Sequence, residues 1–287
     1  MGRAKRIPYG VSDFIDIIER NQYYVDKTMY IPKLEDEPDA LFFIRPRRFG
    51  KSLFISMLRA YYDIKRKDKF DKLFGNLWIG SHPTENQGKY QVLFLDFSKI
   101  GGSIDQLEEN FNAYCNECID SFIETYQEYY PERVVESVLK AKTAARKLNA
   151  IGIAAEKKNL PLYLIVDEYD NFTNVVLNEQ GEEVYTALTH ASGFYREIFK
   201  VFKGMFSKIF MTGVSPVTLD DLTSGFNIGW HISTKPAFNQ MLGFSTEDVR
   251  ELFTYYKENG EIRPDSDVEA IIEEMKPWYD NYCFSES

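Results

Sequence analysis

Three consecutive residues, Gly50, Lys51 and Ser52, have the types and the order of a phosphate-binding loop. In such a loop, backbone N–H groups and a helix N-terminus surround the phosphates. The lysine meets the β- and γ-phosphate oxygens, and the hydroxyl holds Mg²⁺. The tripeptide follows the apolar run 41–44 and precedes a pattern of apolar residues at helical spacing. The sequence therefore predicts a strand, a phosphate-binding loop and a helix in that order.

The loop departs from the usual pattern at its first position. Where G-x-x-x-x-G-K-[ST] has glycine, this chain has Arg45, followed by Pro46, which has no N–H to donate. Arg45, Arg47 and Arg48 could bind phosphate oxygens through their forked guanidinium groups, and one could act as an internal arginine finger. Alternatively, they neutralise carboxylates of this acidic chain. The predicted nucleotide-binding residues are Arg45, Arg47, Arg48, Phe49, Gly50, Lys51, Ser52 and Leu53.

A second apolar run, 162–166, ends in the acids Asp167 and Glu168. With Ser52, the first acid would order Mg²⁺, and the second would polarise the attacking water. Many strands end in acidic residues, so Asp167 and Glu168 indicate a nucleotide site only in combination with the phosphate-binding loop. Thr212 ends a fourth strand, where it could touch the γ-phosphate or the water, or cap backbone groups. The predicted catalytic residues are Lys51, Glu168 and Thr212, and the predicted metal ligands are Ser52 and Asp167.

Apolar strands alternate with helical patterns along most of the chain. Strands are expected at 41–44, 92–97, 162–166 and 208–213, and helices after Ser12, from Lys51, from Ser103, over 131–159 and around 183–203. This alternation predicts an α/β fold of the P-loop NTPase type, in which helices cover both faces of a mostly parallel sheet. In sequence, the predicted strand 92–97 lies between the strand before the loop and the strand that ends in the acids, which is typical of the additional-strand ATPases. A boundary near 235–243 separates a nucleotide-binding domain, 1–235, from the start of a helical lid, 236–287.

Composition excludes several classes of protein. The chain has 287 residues and a net charge of −10, which argues against a surface that binds nucleic acid throughout. The longest apolar runs are far shorter than the roughly 20 residues of a membrane span, and the N-terminus lacks the apolar segment of a signal peptide. The cysteine count, 3, is too small and odd for a disulfide framework. We expect a cytoplasmic protein.

Several segments together resemble a known family. They are 24–28, 45–53, 164–170, 212–215, 242–245 and 278–280. They resemble the bacterial AAA-ATPase-like family, which is often joined to a PD-(D/E)XK nuclease-like domain. The resemblance implies ATP and Mg²⁺ as ligands, Lys51 as the phosphate lysine, Ser52 and Asp167 at the metal, and Glu168 as base. It also makes Arg45 a family feature and favours signalling ATPases over protein-unfolding machines.

Family members usually continue into the nuclease-like domain, whereas this chain stops at Ser287, so we expect a truncation before that domain. Three segments match [DE]-x-K, at 63–65, 156–158 and 274–276. All three are predicted to be helical, whereas a nuclease core carries this motif on a strand. We therefore expect neither a nuclease site nor nucleic-acid binding by this chain alone.

Other candidate residues receive weaker interpretations. Cys115 and Cys118 lie on a predicted amphipathic helix and are interpreted as buried thiols. The histidines receive no role, and Tyr23, Tyr24 and Tyr30 could frame adenine near Asp26 or pack in the core.

Three functions remain open at this point. The first is ATP hydrolysis, the second a nucleotide-gated switch with negligible turnover that regulates a nuclease-like domain or another partner, and the third a kinase.

Overall fold

The computed structural model describes residues 4–102, 104–171, 194–215 and 229–279. In these ranges five parallel strands form one sheet in the order β2-β3-β4-β1-β5. They are β1 (Ala40–Ile44), β2 (Gln91–Asp96), β3 (Leu162–Asp167), β4 (Lys208–Gly213) and β5 (Trp230–His231). Within the sheet, β4 lies between β1, which precedes the loop, and β3, which ends in the acids. The four predicted strands and the additional-strand arrangement are confirmed, and β5 was not predicted.

Helices fill the connections between the strands. They are α1 (Phe14–Glu19), α2 (Tyr30–Glu35), α3 (Lys51–Tyr62), α4 (Phe70–Phe74), α5 (Trp78–Ser81), α6 (Ile104–Thr125), α7 (Glu132–Lys140), α8 (Ala144–Lys157), α9 (Phe194–Met205), α10 (Thr246–Glu258) and α11 (Val268–Tyr279). The helix predicted over 131–159 is in fact two. Ala141 is extended, and the Thr143 side chain accepts a hydrogen bond from Arg146 N, which starts α8. Ser103 and 183–193 lie outside the described residues.

The sheet has a hydrophobic core on each face. Along β3, Leu164 and Val166 join one cluster with residues of α6 to α9, whereas Tyr163 and Ile165 join a second cluster with α1 to α4. Successive side chains of a strand point to opposite faces, so a strand buried on both faces must be apolar throughout. The helices therefore cover both faces, as predicted.

Two tyrosine hydroxyls, one in α6 and one directly after it, close the outer edge of β2. Tyr126 Oη accepts the Val92 N–H at 3.0 Å, and Tyr114 Oη accepts the Asp96 N–H at 2.7 Å. These are backbone groups that an unpaired edge strand would otherwise present to another strand. The sheet therefore cannot be extended on this side without displacing α6.

Hydrogen bonds and an ion pair join helix α10 to the N-terminal part of the chain. Its N-cap Ser245 forms a capping box with Asp248, whose Oδ2 also accepts Lys27 Nζ at 2.6 Å. Lys5 N donates to Tyr255 Oη at 2.9 Å, and Tyr256 Oη donates to Lys5 O at 2.6 Å. The start of the predicted lid thus packs against residues far away in sequence, and the domain boundary itself stays a prediction.

The [DE]-x-K segments differ in structure. Residues 274–276 lie in α11, and 156–158 lie at the end of α8. The helical prediction is wrong at Asp63, which is extended and forms a parallel bridge with Tyr90. Its side chain accepts Lys65 N at 2.9 Å, which starts a 3₁₀ helix instead of continuing α3. Within the described ranges, no helix is both long and apolar enough to cross a membrane.

Candidate functional site

The loop between β1 and α3 has the backbone geometry that a phosphate-binding loop requires. Gly50 has φ +86°, a left-handed conformation that glycine adopts without a steric penalty, and it is the N-cap of α3. The Gly50 carbonyl accepts Phe54 N–H at 3.0 Å, so the helix begins directly at Lys51. The first N–H groups of α3 are therefore directed toward the carboxyl end of β1, where an anion would be stabilised.

Lys51 is held by the loop itself. Its side chain is buried, and its Nζ donates to the carbonyls of Arg45 at 2.9 Å and Pro46 at 3.1 Å. An ammonium group has three donors, so one more can reach a phosphate oxygen. Burial lowers the pKa of Lys51, while the carboxylates of Asp167 and Glu168 raise it. The lysine is thus preoriented beside two acids.

Asp167 connects the loop, β3 and β4. Its Oδ2 accepts the Ser52 hydroxyl and its Oδ1 accepts the Thr212 hydroxyl, both at 2.6 Å. The carboxylate and the Ser52 hydroxyl are hard oxygen ligands of the kind that Mg²⁺ takes, together with phosphates and water. In the described part of the chain, no group of three or more His, Cys, Asp or Glu residues could hold a metal ion without such added ligands. The residues present therefore fit Mg²⁺ that arrives with a nucleotide.

Thr212 contacts the first acid of the pair. Its hydroxyl is buried and donates to Asp167, and its contact with the γ-phosphate or the attacking water stays a prediction. In this position it orients the carboxylate.

Glu168 is half-buried and directly follows Asp167 at the end of β3. Its φ is +50°, an uncommon conformation for a residue with a side chain, and such residues cluster at functional sites. Burial and the neighbouring Asp167 raise its pKa, while Lys51 and Arg47 lower it. A carboxylate with a raised pKa is a better proton acceptor, as a general base must be.

Asp170, which sequence reasoning did not single out, anchors the same turn. Its buried carboxylate accepts Val214 N at 3.0 Å and Ser215 N at 2.5 Å. A Cβ at Gly213 would lie 2.5 Å from the Tyr169 ring, so the close approach of this turn to the end of β4 requires glycine. The sequence signals were its place in the family-like segment 164–170 and its position three residues after Asp167.

We expect Asp170→Ala to lower the free energy of unfolding by about 2–3 kcal/mol, because the hydrogen bonds from Val214 N and Ser215 N to a charged carboxylate are lost. Urea unfolding followed by circular dichroism measures this change. Asp39→Ala is the control, because the Asp39 side chain is 77% exposed in its pair with Lys208. That pair should contribute less than about 1 kcal/mol. Equal losses in the two variants would show that Asp170 does not anchor the turn.

The three arginines of the loop have different surroundings. Arg47 and Arg48 are exposed. The guanidinium of Arg45 is buried, donates to the carbonyls of Ser233 at 2.9 Å and Phe238 at 3.4 Å, and lies over an aromatic ring. The structure therefore gives no support to a phosphate contact from the Arg45 side chain, because this group is directed into the protein.

The weaker candidates pack as structural residues. The Cys115 thiol is buried, which raises its pKa, and Cys118 is half-buried. Tyr24 packs edge-on against Phe14 with ring centroids 5.2 Å apart. Both carboxylate oxygens of Asp26 accept hydrogen bonds, Oδ1 from Thr28 N and Oγ1, and Oδ2 from Trp78 N. His190 and Asp280 lie outside the described residues.

Comparison with known proteins identifies relatives. The model of the AAA-ATPase-like family, described as "Predicted AAA-ATPase", matches residues 8–223. A protein of Azotobacter chroococcum mcd 1, "Uncharacterized protein in vnfD 5'region", is 25% identical over 297 aligned residues, covering 97% of this chain and 48% of its own length. The chain thus spans about half the length of this curated relative.

The comparison with solved structures gives matches as well. The Aeropyrum pernix ORC2 protein, in ADPNP–ADP complexes, matches with a TM-score of 0.39 and 13% identity, over 94% of this chain and 60% of its own.

Proposed function

The chain belongs to the AAA-ATPase-like family of predicted AAA-ATPases, and on this premise we propose that it binds ATP with Mg²⁺ and hydrolyses ATP to ADP and phosphate. The 2.6 Å contact between Ser52 Oγ and Asp167 Oδ2 carries the proposal. It brings the hydroxyl of the phosphate loop and the acid of β3 to one point at the carboxyl end of the sheet. Mg²⁺ at that point would neutralise phosphate charge when bound.

Each site residue then has a role. Lys51 and the loop N–H groups from Phe49 to Leu53 bind the β- and γ-phosphates, and the exposed Arg47 and Arg48 add positive charge beside them. Ser52 and Asp167 are the metal ligands, and Thr212 holds Asp167 in place. Glu168 accepts a proton from the attacking water, and Lys51 compensates the charge that develops on the phosphoryl oxygens.

Domain organisation and context form part of the proposal. Residues 1–235 form the nucleotide-binding domain, and 236–287 form the start of a helical lid. The free thiol at Cys115 agrees with a reducing compartment, and we place the protein in the cytoplasm with a signalling role. The family resemblance supports a nuclease-like domain as its partner.

A nucleotide-gated switch is the second candidate. It is favoured by the contact between Phe49 O and Gly243 N at 3.0 Å, which joins the phosphate loop to the segment before α10. Single-turnover reactions with excess protein and γ-labelled ATP separate the two functions. Release of labelled phosphate in step with loss of bound ATP supports the ATPase. Bound ATP that persists for hours supports the switch and contradicts hydrolysis.

Metal dependence is tested through Asp167. In the native chain, ATP should raise the unfolding midpoint more in Mg²⁺ than in EDTA, because Asp167 would help to hold a metal ion that neutralises phosphate charge. Asp167→Asn should abolish this difference, since an amide is a poor ligand for a hard cation. Asp39→Asn should keep it. A full Mg²⁺ increment in Asp167→Asn would contradict the assignment of the metal site.

A further inference from the structure

The segment 232–243, called the connector below, joins β5 to α10 and is hydrogen-bonded to the phosphate loop at both ends of the loop. At the start, Ser233 Oγ accepts Ile44 N at 2.7 Å. At the end, Gly243 N donates to Phe49 O at 3.0 Å. The backbone that would surround a phosphate is therefore held by residues outside the loop.

Arg45 strengthens this attachment from inside the protein. Its Nη1 and Nη2 donate to the carbonyls of Ser233 and Phe238, both in the connector. Its own carbonyl accepts Lys51 Nζ at 2.9 Å. One residue thus touches the phosphate lysine through its main chain and the connector through its side chain.

The burial of Arg45 makes the attachment hard to break. The residue is 2% exposed, and its guanidinium carbon lies 4.3 Å from the centroid of the Phe43 ring. Burial lowers the pKa of Arg45 to about 10, so it stays charged at neutral pH. Moving the connector away would leave a buried cation without these carbonyls, which is costly. The loop and the connector are therefore expected to move together.

The far end of the connector leads directly into α10. Gly243 has φ +79°, and a Cβ there would lie 3.1 Å from the Phe49 ring. Two residues later, Ser245 caps α10, and Asp248 pairs with Lys27. A shift of the connector would therefore change how α10 packs.

We propose that Arg45 is a positioning residue that ties the phosphate loop to the connector, so that ATP in the loop changes the packing of α10. This inference rests on the proposed ATP site. Because binding and packing are linked, the packing of α10 changes the affinity for ATP in the same proportion. Arg45 thus performs a coupling role that the glycine of the usual pattern has no side chain to perform.

Trp230, on β5 beside the connector, provides the reporter. Its ring lies 4.9 Å from Lys235 Nζ, a connector residue. Replacing Trp78 and Trp278 by phenylalanine leaves Trp230 as the single tryptophan. Mg·ATP binding is measured by equilibrium dialysis, and the response of the connector by Trp230 emission and by amide hydrogen exchange over 232–243.

In the single-tryptophan protein, we expect emission and exchange to change with the same midpoint as binding. Arg45→Met should weaken binding about tenfold, in the usual range for coupled sites, and remove most of both responses even at saturating ATP. Arg59→Met is the matched control, because Arg59 also lies over a ring, 4.1 Å from the centroid of Phe94. The Arg59→Met protein should keep both the emission response and the exchange response. If Arg45→Met does not fold, Arg45→Lys, which keeps the charge but not the fork, should lose both responses.

Three results would overturn the inference. Full responses in a folded, saturated Arg45 variant would reduce Arg45 to a purely structural role. ATP binding by the single-tryptophan protein without either response would refute the coupling and leave the proposed ATP site intact. No ATP binding by the native chain would remove both proposals.

Discussion

Replacing Lys51 by methionine should remove most of the stabilisation that Mg·ATP gives the chain. A ligand at 100 times its Kd adds about 2.7 kcal/mol to the free energy of unfolding. Removing one partner of a buried charge contact costs about 2–5 kcal/mol, so the affinity should fall by about 30-fold or more. At the same ATP concentration, the remaining stabilisation should be below about 1 kcal/mol. Thermal and urea unfolding with and without Mg·ATP measure this loss.

The control for Lys51→Met is a second buried lysine. Lys147 on α8 is buried and pairs with Asp120. Lys147→Met should lower the stability of the free protein but leave the increment from Mg·ATP unchanged. The increment, rather than the midpoint itself, is the quantity to compare, because Lys51 also lies beside Asp167 and Glu168. An unchanged increment in Lys51→Met would refute the assignment of the phosphate lysine.

Glu168→Gln should stop hydrolysis and leave ATP binding within a few-fold of native. Glutamine keeps the shape and a hydrogen-bonding group but cannot accept the proton of the water. Losing a positioned base lowers the rate by about 10²–10⁴-fold, while the phosphate contacts come from the loop and Lys51. Single-turnover hydrolysis, followed for hours with excess protein, measures the rate.

The pH profile gives Glu168 a second test. Because burial and Asp167 raise the pKa of Glu168, the native rate should fall as the pH is lowered through this raised pKa, below which Glu168 is protonated. Glu156→Gln, an exposed change at the end of α8, should keep both rate and profile. Equal and measurable rates in native and Glu168→Gln proteins would mean that Glu168 is not the base.

The sequence predicts those elements of the fold that depend on the local pattern of residues. Each of the four long strands is an apolar run, and the strand–loop–helix order around Lys51 follows from neighbouring residues alone. β5 is only Trp230–His231, too short for any periodicity. The break at 141–143 depends on the capping of α8 by Thr143, a single polar residue within a helical pattern.

The candidate site, like the fold, can be predicted only in part from the sequence. Residue type and order predict that Ser52 and Asp167 converge, because parallel strands bring their carboxyl ends to one edge. The direction of a side chain is not encoded in its own type. Arg45 and Arg47 look equivalent in sequence, yet the burial of Arg45 depends on carbonyls about 190 residues further along. Such partners can be seen only after the chain has folded.

The tyrosine-closed edge of β2 has a consequence for the order of folding during synthesis. Tyr126 follows Val92 by 34 residues, whereas β3, the strand on the inner side of β2, is made only later. Transiently exposed strand edges are where nascent chains aggregate. In this chain, α6 can cover the outer edge of β2 while β3 is still inside the ribosome. Only the inner edge of β2 then stays without a partner strand, until Leu162–Asp167 has emerged.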